Sequence, residues 1–594
     1  MTANSPRLRH RTATIVAVTL LLGALNRPVL ADRPSAPHLL PISTVAVVSV
    51  ADAPEMAEKF MNTSLGRMSQ DPQLKPLLEH LYGAVVEATA VLKEQVGLTL
   101  TELLAIPQGE LTLALVAPEE GPPAVVVLLD AGNQLSNARK LLKRGTDALD
   151  ESPAVRSEKT VSGTKIVIYD NVGPQRRQAA YFEKDDTIVA ATDVGVLEQM
   201  LKVWDGGKGD TLADNQNFTA IMSRCRGEND ERPQLIGYVD PIGIMRSIAQ
   251  GNTQMQLALI ALPALGLDGL SGIGGSVILD TEQFDSILHV HVLLESPRTG
   301  VLKMIAFESG EAKPEDWVPA DVASYTTLHW NIEKTYKSLA VVYDSFNGEG
   351  ALAKELERRI LGPTGIDFEK EFLQALDGRI TMITRIERPI RLGSQATLVG
   401  LKLADKASIE KALEKVFKLP DSNLTRETYA GKKYFRVDRP RFREMPPEQR
   451  PPQPSFGIVG DYLMVTNQAS LLEKVIATAA DGSNSLAKEL DFKLIAGKIQ
   501  RQAGGATPAL VSFNRPEEIM AMLYELAIAE NTRTRLAAAG ENNPFLRSVD
   551  KALKENPLPP FAVIRQYLAP GGAMVVDDET GIHYTAFSLR RTAE

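Results

Sequence analysis

Ser408 and Lys411 stand one helical turn apart, the spacing of a Ser nucleophile and a Lys base in penicillin-recognising enzymes. The companion motifs of that chemistry are missing. Ser408 falls where a helix begins, so its expected role is to cap free amides, and Ser470 with Glu473 reads as a capping box. His289 and His291 alternate along a strand, which puts both imidazoles on one face, with His583 near the corresponding place at the far end of the chain. Zinc takes three or four ligands and Asp285 is the only acidic residue close in sequence, so the expectation is a solvent-facing strand surface without a metal. Gly269, Gly272, Gly274 and Gly275 invite comparison with a phosphate-cradling loop. A strand follows them instead of a helix N-terminus, and no Walker lysine follows, so a tight turn into a hairpin is expected. Asp577, Asp578 and Glu579 lack the spaced oxygen donors of a calcium loop and read as an acidic hairpin turn.

Cys225 is the only cysteine, so no intramolecular disulfide can form. Arg224 and Arg226 would activate its thiol if they approached it. A helix over 218–225 has a counterpart at 492–499 in which Ile499 or a neighbour takes the place of the thiol, so a packing role is expected for Cys225. The chain contains no Gly-x-Ser-x-Gly elbow and no His-Glu-x-x-His pair. No catalytic residue, metal or cofactor is therefore expected, and a hydrolase is the least favoured reading. Binding remains. Residues 255–265 are apolar nearly all round, which implies burial against a sheet, a lipophilic cavity or lipid contact, with burial against the sheet expected. Met255, Leu259 and Leu262 are the residues that would meet an apolar ligand under a helix spanning 242–265.

The elements that carry these residues come in two series. A helix leading to Gly109, strands at 110–114 and 125–129 and a helix around 138–142 are answered by Gly378, strands at 379–382 and 398–403 and a helix over 408–416. Opening strands are expected at 44–50 and 324–330, and glycines 97 and 365 stop the helices that follow them. Strands at 163–169 and 186–192 match 431–437 and 461–467, and helices at 196–201 and 471–476 follow. Pro241 and Pro516 each start a helix, where the missing N–H costs nothing. Gly274-Gly275 and Gly571-Gly572 open the closing hairpins. The expected fold is α+β, two tandem homologous repeats, each a mainly antiparallel sheet with helices on one face.

Arg7, Arg9 and Arg11 precede an apolar run and a small-residue cleavage site at Ala31, the pattern of a secretory signal peptide. The run, from Ala13 to Leu25, is about 13 residues, short of the roughly 20 that cross a bilayer. The expected organisation is a signal peptide over 1–31, a first repeat over 32–309, a linker over 310–316 and a second repeat over 317–594. The second repeat carries a Pro/Arg-rich hairpin insertion at 439–454, a stiff tip for a protein or cell-envelope partner. With no cysteine near the cleavage site, the mature chain is expected in the periplasm or outside the cell, without a lipid anchor and without a transmembrane span. A net charge of -9 excludes a surface built to displace counterions from nucleic acid. With 44% hydrophobic and 23% charged residues the chain has the composition of a folded protein.

The leader, Leu40-Pro41 before the first strand, Gly109-Glu110-Leu111-Thr112 after a helix and the doubled body together resemble a group of uncharacterised exported two-repeat proteins common in planctomycete bacteria. The resemblance implies fold and export and no activity. The functional expectation is an exported, non-catalytic binding or envelope-associated structural protein, with a periplasmic carrier of a lipophilic ligand, held between the repeats or under the 242–265 helix, as the alternative.

Overall fold

The computed structural model describes residues 33–88, 98–118, 121–173, 177–227, 231–249, 252–438 and 449–591. The expected signal segment, Gly97 and most of the Pro/Arg-rich insertion lie outside the described residues. Up to the middle of the chain the strands are β1 (Thr44–Val50), β2 (Leu111–Val116), β3 (Ala124–Asp130), β4 (Val155–Val161), β5 (Thr164–Val172), β6 (Arg177–Lys184), β7 (Thr187–Ala191), β8 (Leu235–Val239), β9 (Leu270–Leu279) and β10 (Phe284–Leu294). Beyond it follow β11 (Ser324–His329), β12 (Leu376–Ile386), β13 (Gln395–Leu403), β14 (Leu424–Tyr429), β15 (Lys432–Val437), β16 (Ser455–Val459), β17 (Tyr462–Thr466), β18 (Leu510–Asn514), β19 (Gly571–Asp578) and β20 (Gly581–Leu589).

All of these join one antiparallel sheet. From one edge the order is β4-β5-β6-β7-β3-β2-β1-β8-β9-β10. β10 then pairs with β20, and the sheet continues β19-β18-β11-β12-β13-β17-β16-β15-β14 to the other edge. Counted inward from either edge, the pairings run in the same series. The edge strands β4 and β14 carry Arg156, Glu158 and Lys159, and Arg426 and Glu427, charges that discourage a further strand from adding.

One face of the sheet is covered by the helices Val194–Trp204, Gln216–Arg224, Ala469–Asp481 and Leu490–Gln502, which bury the two largest cores. Gly274 and Gly572 lie within β9 and β19, where helices press on the sheet. A Cβ at Gly274 would sit 2.7 Å from Ile221 Cγ2, and one at Gly572 would sit 2.6 Å from Ile495 Cγ2. Phe218 meets Tyr238 edge-on at 5.5 Å, and Phe492 meets Phe513 in the same way at 5.6 Å.

Several local expectations are corrected. The cap of the helix Lys406–Phe417 is Asp405, whose side chain accepts from Ser408 N, so Ser408 receives no capping role. Ser470 donates to Glu387 while Glu473 accepts from Tyr434, and no capping box forms. Both His289 and His291 are buried, since helices cover the strand face expected to be wet. The helix Thr253–Leu265 stands largely in solvent, with Leu257 63% and Ile260 73% exposed and Leu262 its one buried residue. It packs mainly on the neighbouring helix Pro241–Ala249, the turn Leu267–Gly269 and the short helix Gly300–Met304, where burial against the sheet was expected.

Residues 310–316 are fastened at Lys313 and Glu315. Arg379 donates to the Lys313 carbonyl at 2.6 Å, and Glu315 pairs with Arg379 at 3.1 Å. Residues far apart in sequence also interlock, for Leu74, Met68 and Leu78 pack with Met520, Tyr524, Phe561, Ile564 and Leu568. Tyr567 donates to Asp71 at 2.7 Å beside them. Among the described residues no helix is long and apolar enough to cross a membrane.

Candidate functional site

Side chains of a strand alternate between faces, so whatever is not on the face covered by those four helices points to the other, which the helices Leu135–Asp150 and Lys406–Phe417 cover toward its ends, over Leu129 and Leu403, and which is open between them. There the register sets one residue per strand in a row. Leu129 opposes Leu111, which opposes Val50, then Leu235, Val277 and Leu288. The row crosses the central pair to Ala586 and Ala573, passes Ser512 and Thr326, and ends through Met382 and Val399 at Val465. None of these residues is charged. Leu111 (37%), Leu288 (39%), Met382 (44%) and Val465 (47%) remain exposed although the same strands bury their other face.

Where the row crosses the middle of the sheet the open face sinks into a cleft of about 600 Å³. Val277, Ser286 and Leu288 line it from β9 and β10, and Thr326, Leu510, Ser512, Asn514, Ala573, Tyr584, Ala586 and Ser588 from β11 and β18 to β20. Pro516 and Ala569 form part of its wall. The floor is methyl and methylene surface with hydroxyls set into it in pairs. Ser286 and Ser588 hydroxyls lie 3.0 Å apart, and those of Thr326 and Ser512 2.9 Å apart. Among the lining residues there is no Asp, Glu, Lys, Arg or His. A charged ligand would leave water here for a site without a counterion, which is costly. An apolar body with a few neutral polar groups suits it. The volume is within the 300–1,000 Å³ or so typical of small-molecule sites, which favour boundaries between structural units.

Met255, Leu259 and Leu262 do not line this cleft; Met255 and Leu259 are half-buried on their own helix. Sequence reading missed the cleft because its residues are Ser, Thr, Ala and Leu scattered over strands far apart in the chain, and only the register assembles them. The candidates for chemistry stay apart from it. Ser408 is half-buried and Lys411 exposed on one surface helix. Cys225 is 1% exposed, and burial pushes its thiol up to about 12, which removes the nucleophilic thiolate. Asp577 and Asp578 are held by Arg298 and Arg224 in ion pairs, and Asp578 also accepts from Thr580, as an acidic turn would. Among the described residues no group of three or more His, Cys, Asp or Glu is placed to hold a metal ion.

A family model described as a protein of unknown function, DUF3352, matches residues 350–511, from just before the helix Ala351–Leu356 into β18. No curated protein and no solved structure matches the chain.

Proposed function

We propose that the chain is an exported, non-catalytic binding protein, two repeats of one α+β unit over 32–309 and 317–594, that holds a neutral, elongated, lipophilic ligand in the cleft on the open face of the sheet. The observation that carries this reading is the uncharged row of side chains across the strands, which deepens into the cleft at the β10–β20 junction. At about 4.8 Å per strand the row is long enough for an extended hydrocarbon chain. The paired hydroxyls of Ser286 with Ser588 and Thr326 with Ser512 supply hydrogen bonds for a neutral head.

The matching series of strand pairings from the two edges supports descent from a duplicated unit, with the cleft at the line where the copies meet. Export is supported by the leader pattern and by Arg33, two residues past the expected cleavage point, which is already anchored in the fold by Glu110 at 2.8 Å. The periplasm or the extracellular space is the expected compartment. The Pro/Arg-rich tip at 439–454 is the proposed contact for an envelope or protein partner; its base is fixed by Arg450 on the buried Glu387 at 2.8 Å.

The test is native mass spectrometry and solvent extraction of the mature chain purified from an exporting host. A copurifying neutral lipid, lost on Leu288→Glu, is the expected result. Absence of any bound lipid, together with no uptake of added long-chain alcohols or monoacylglycerols, overturns the reading.

A further inference from the structure

Behind the cleft floor, on the covered face of the same two strands, three imidazoles lie together. His289 and His291 on β10 alternate with Leu288, and His583 on β20 sits opposite His291. They are 5%, 0% and 8% exposed. The rings of His289 and His583 stack with centroids 5.5 Å apart, and His291 lies 5.7 Å from His583. His289 Nδ1 meets Thr585 Oγ1 at 3.2 Å, but His289 Nε2, both ring nitrogens of His291 and His583 Nδ1 have no hydrogen-bond partner.

The groups facing the cluster offer little to an imidazolium. The helix Gln216–Arg224 and its cap bring Arg224 and the neutral thiol of Cys225, and β9 brings Ser276. The β19–β20 turn brings Asp578, already engaged by Arg224 at 2.6 Å and by Thr580, and the Thr580 backbone; both favour a proton on His291 but are outweighed by burial. Burial alone pushes His289 down to about 4. Burial, then His289 and Arg224, push His583 down to about 3. Burial, then Arg224, lower His291 as well. Burial in the closed ladder favours the neutral form of all three rings.

We propose that the imidazole cluster is an acid-sensitive latch on the strand pair that, among the described residues, joins the two series: proton uptake by His289, His291 and His583 loosens the β10–β20 ladder and with it the cleft floor. The closed state binds fewer protons than a loosened one, in which the rings regain their ordinary value near 6.5. Its advantage is therefore full above that value, falls as pH drops through 6.5 and keeps falling until the closed-state values near 4 and 3 are reached. At pH 5 each of His289 and His583 shifts the balance toward the loosened state by about 30-fold, roughly a thousand-fold together. That acid also releases the ligand rests on the binding reading above; the latch itself does not.

The experiment is amide hydrogen exchange of the mature chain at pH 7.5 and 5.0, corrected for the intrinsic pH dependence of exchange, without ligand. Wild type is expected to lose protection in β10 and β20 by a hundred-fold or more, with β13 and β17 unchanged. The double variant His289→Phe with His583→Phe, which keeps the rings and removes their titration, is expected to lose most of that response. Should circular dichroism show it misfolded, His583→Leu alone is expected to cut the response about 30-fold. Equal protection at both pH values, uniform loss over the whole sheet, or a full response in the folded variants overturns the proposal. Uptake of a fluorescent long-chain alcohol at pH 7.5 is measured separately, so failure of the ligand reading is seen apart from failure of the latch.

Discussion

The segment before β1 and the segment before β11 dock on the sheet through buried ion pairs of opposite polarity. Glu110, two residues before Thr112, is the fixed carboxylate on the β1–β2 side, and Arg33 comes to it from the N-terminal segment at 2.8 Å, with Asp130 at 3.6 Å. The Ala36 amide donates to Glu110 at 3.0 Å. On the β11–β12 side the charges are exchanged. Arg379, two residues before Thr381, is the strand residue, and Glu315 comes to it from the connecting segment at 3.1 Å, also accepting from Tyr462 at 2.8 Å. The hydroxyl pairs beside them correspond, Ser49 with Thr112 and Thr327 with Thr381. What this place in the sheet requires is a neutralised charge under a docked segment, and either sign will serve. Exchange of the two segments would set Arg33 beside Arg379, or Glu315 beside Glu110 and Asp130, so like-charge contact opposes the wrong docking.

The largest expected effects come from breaking these pairs, because the remaining charge stays buried. Arg33→Met strands two carboxylates and Arg379→Met strands one, with hydroxyl donors still on it. Both are expected to cost about 3–5 kcal/mol in urea unfolding, with Arg33→Met the more severe. Exchanging one pair, as in Arg33→Glu with Glu110→Arg, should recover part of the loss, and no recovery would mean the backbone and hydroxyl donors fix the polarity. Next come the glycines under the helices. Gly274→Ala and Gly572→Ala should each cost about 1–3 kcal/mol and to a similar extent, since the added Cβ meets Ile221 or Ile495. A large difference between them in thermal unfolding would show that the two helices are seated differently. The smallest effects belong to the apolar helix Thr253–Leu265. Ile260→Ser, at an exposed site, should change stability by less than about 0.5 kcal/mol, whereas Leu262→Ala should cost about 2 kcal/mol.

Strands with one buried and one partly open face were legible in the sequence. β3 and β13 were legible as apolar runs, that of β3 unbroken although its burial alternates, and the helices begun by Pro241 and Pro516 form where expected. The edge strands β4 and β14 were not, because exposure on both faces leaves no apolar period to read. The helix Thr253–Leu265 was misread as buried because a lack of charge was taken for contact with the sheet. The imidazoles of His289 and His291 were placed on one strand face correctly, but a strand's own sequence does not say which face a distant helix will cover. The cleft depends on register between strands hundreds of residues apart, and its Ser, Thr and Ala carry no local signal of binding.

The central claim is that the open face holds a neutral apolar ligand at the β10–β20 junction. Fluorescence titration of the purified protein with a pyrene-labelled long-chain alcohol tests it most directly, beside Leu288→Glu and, as a control on the same face outside the cleft, Val48→Glu. Saturable one-to-one uptake by wild type and Val48→Glu, weakened at least tenfold by Leu288→Glu, is the expected result. Uptake that is absent, or unchanged by a carboxylate in the middle of the cleft, would contradict the account.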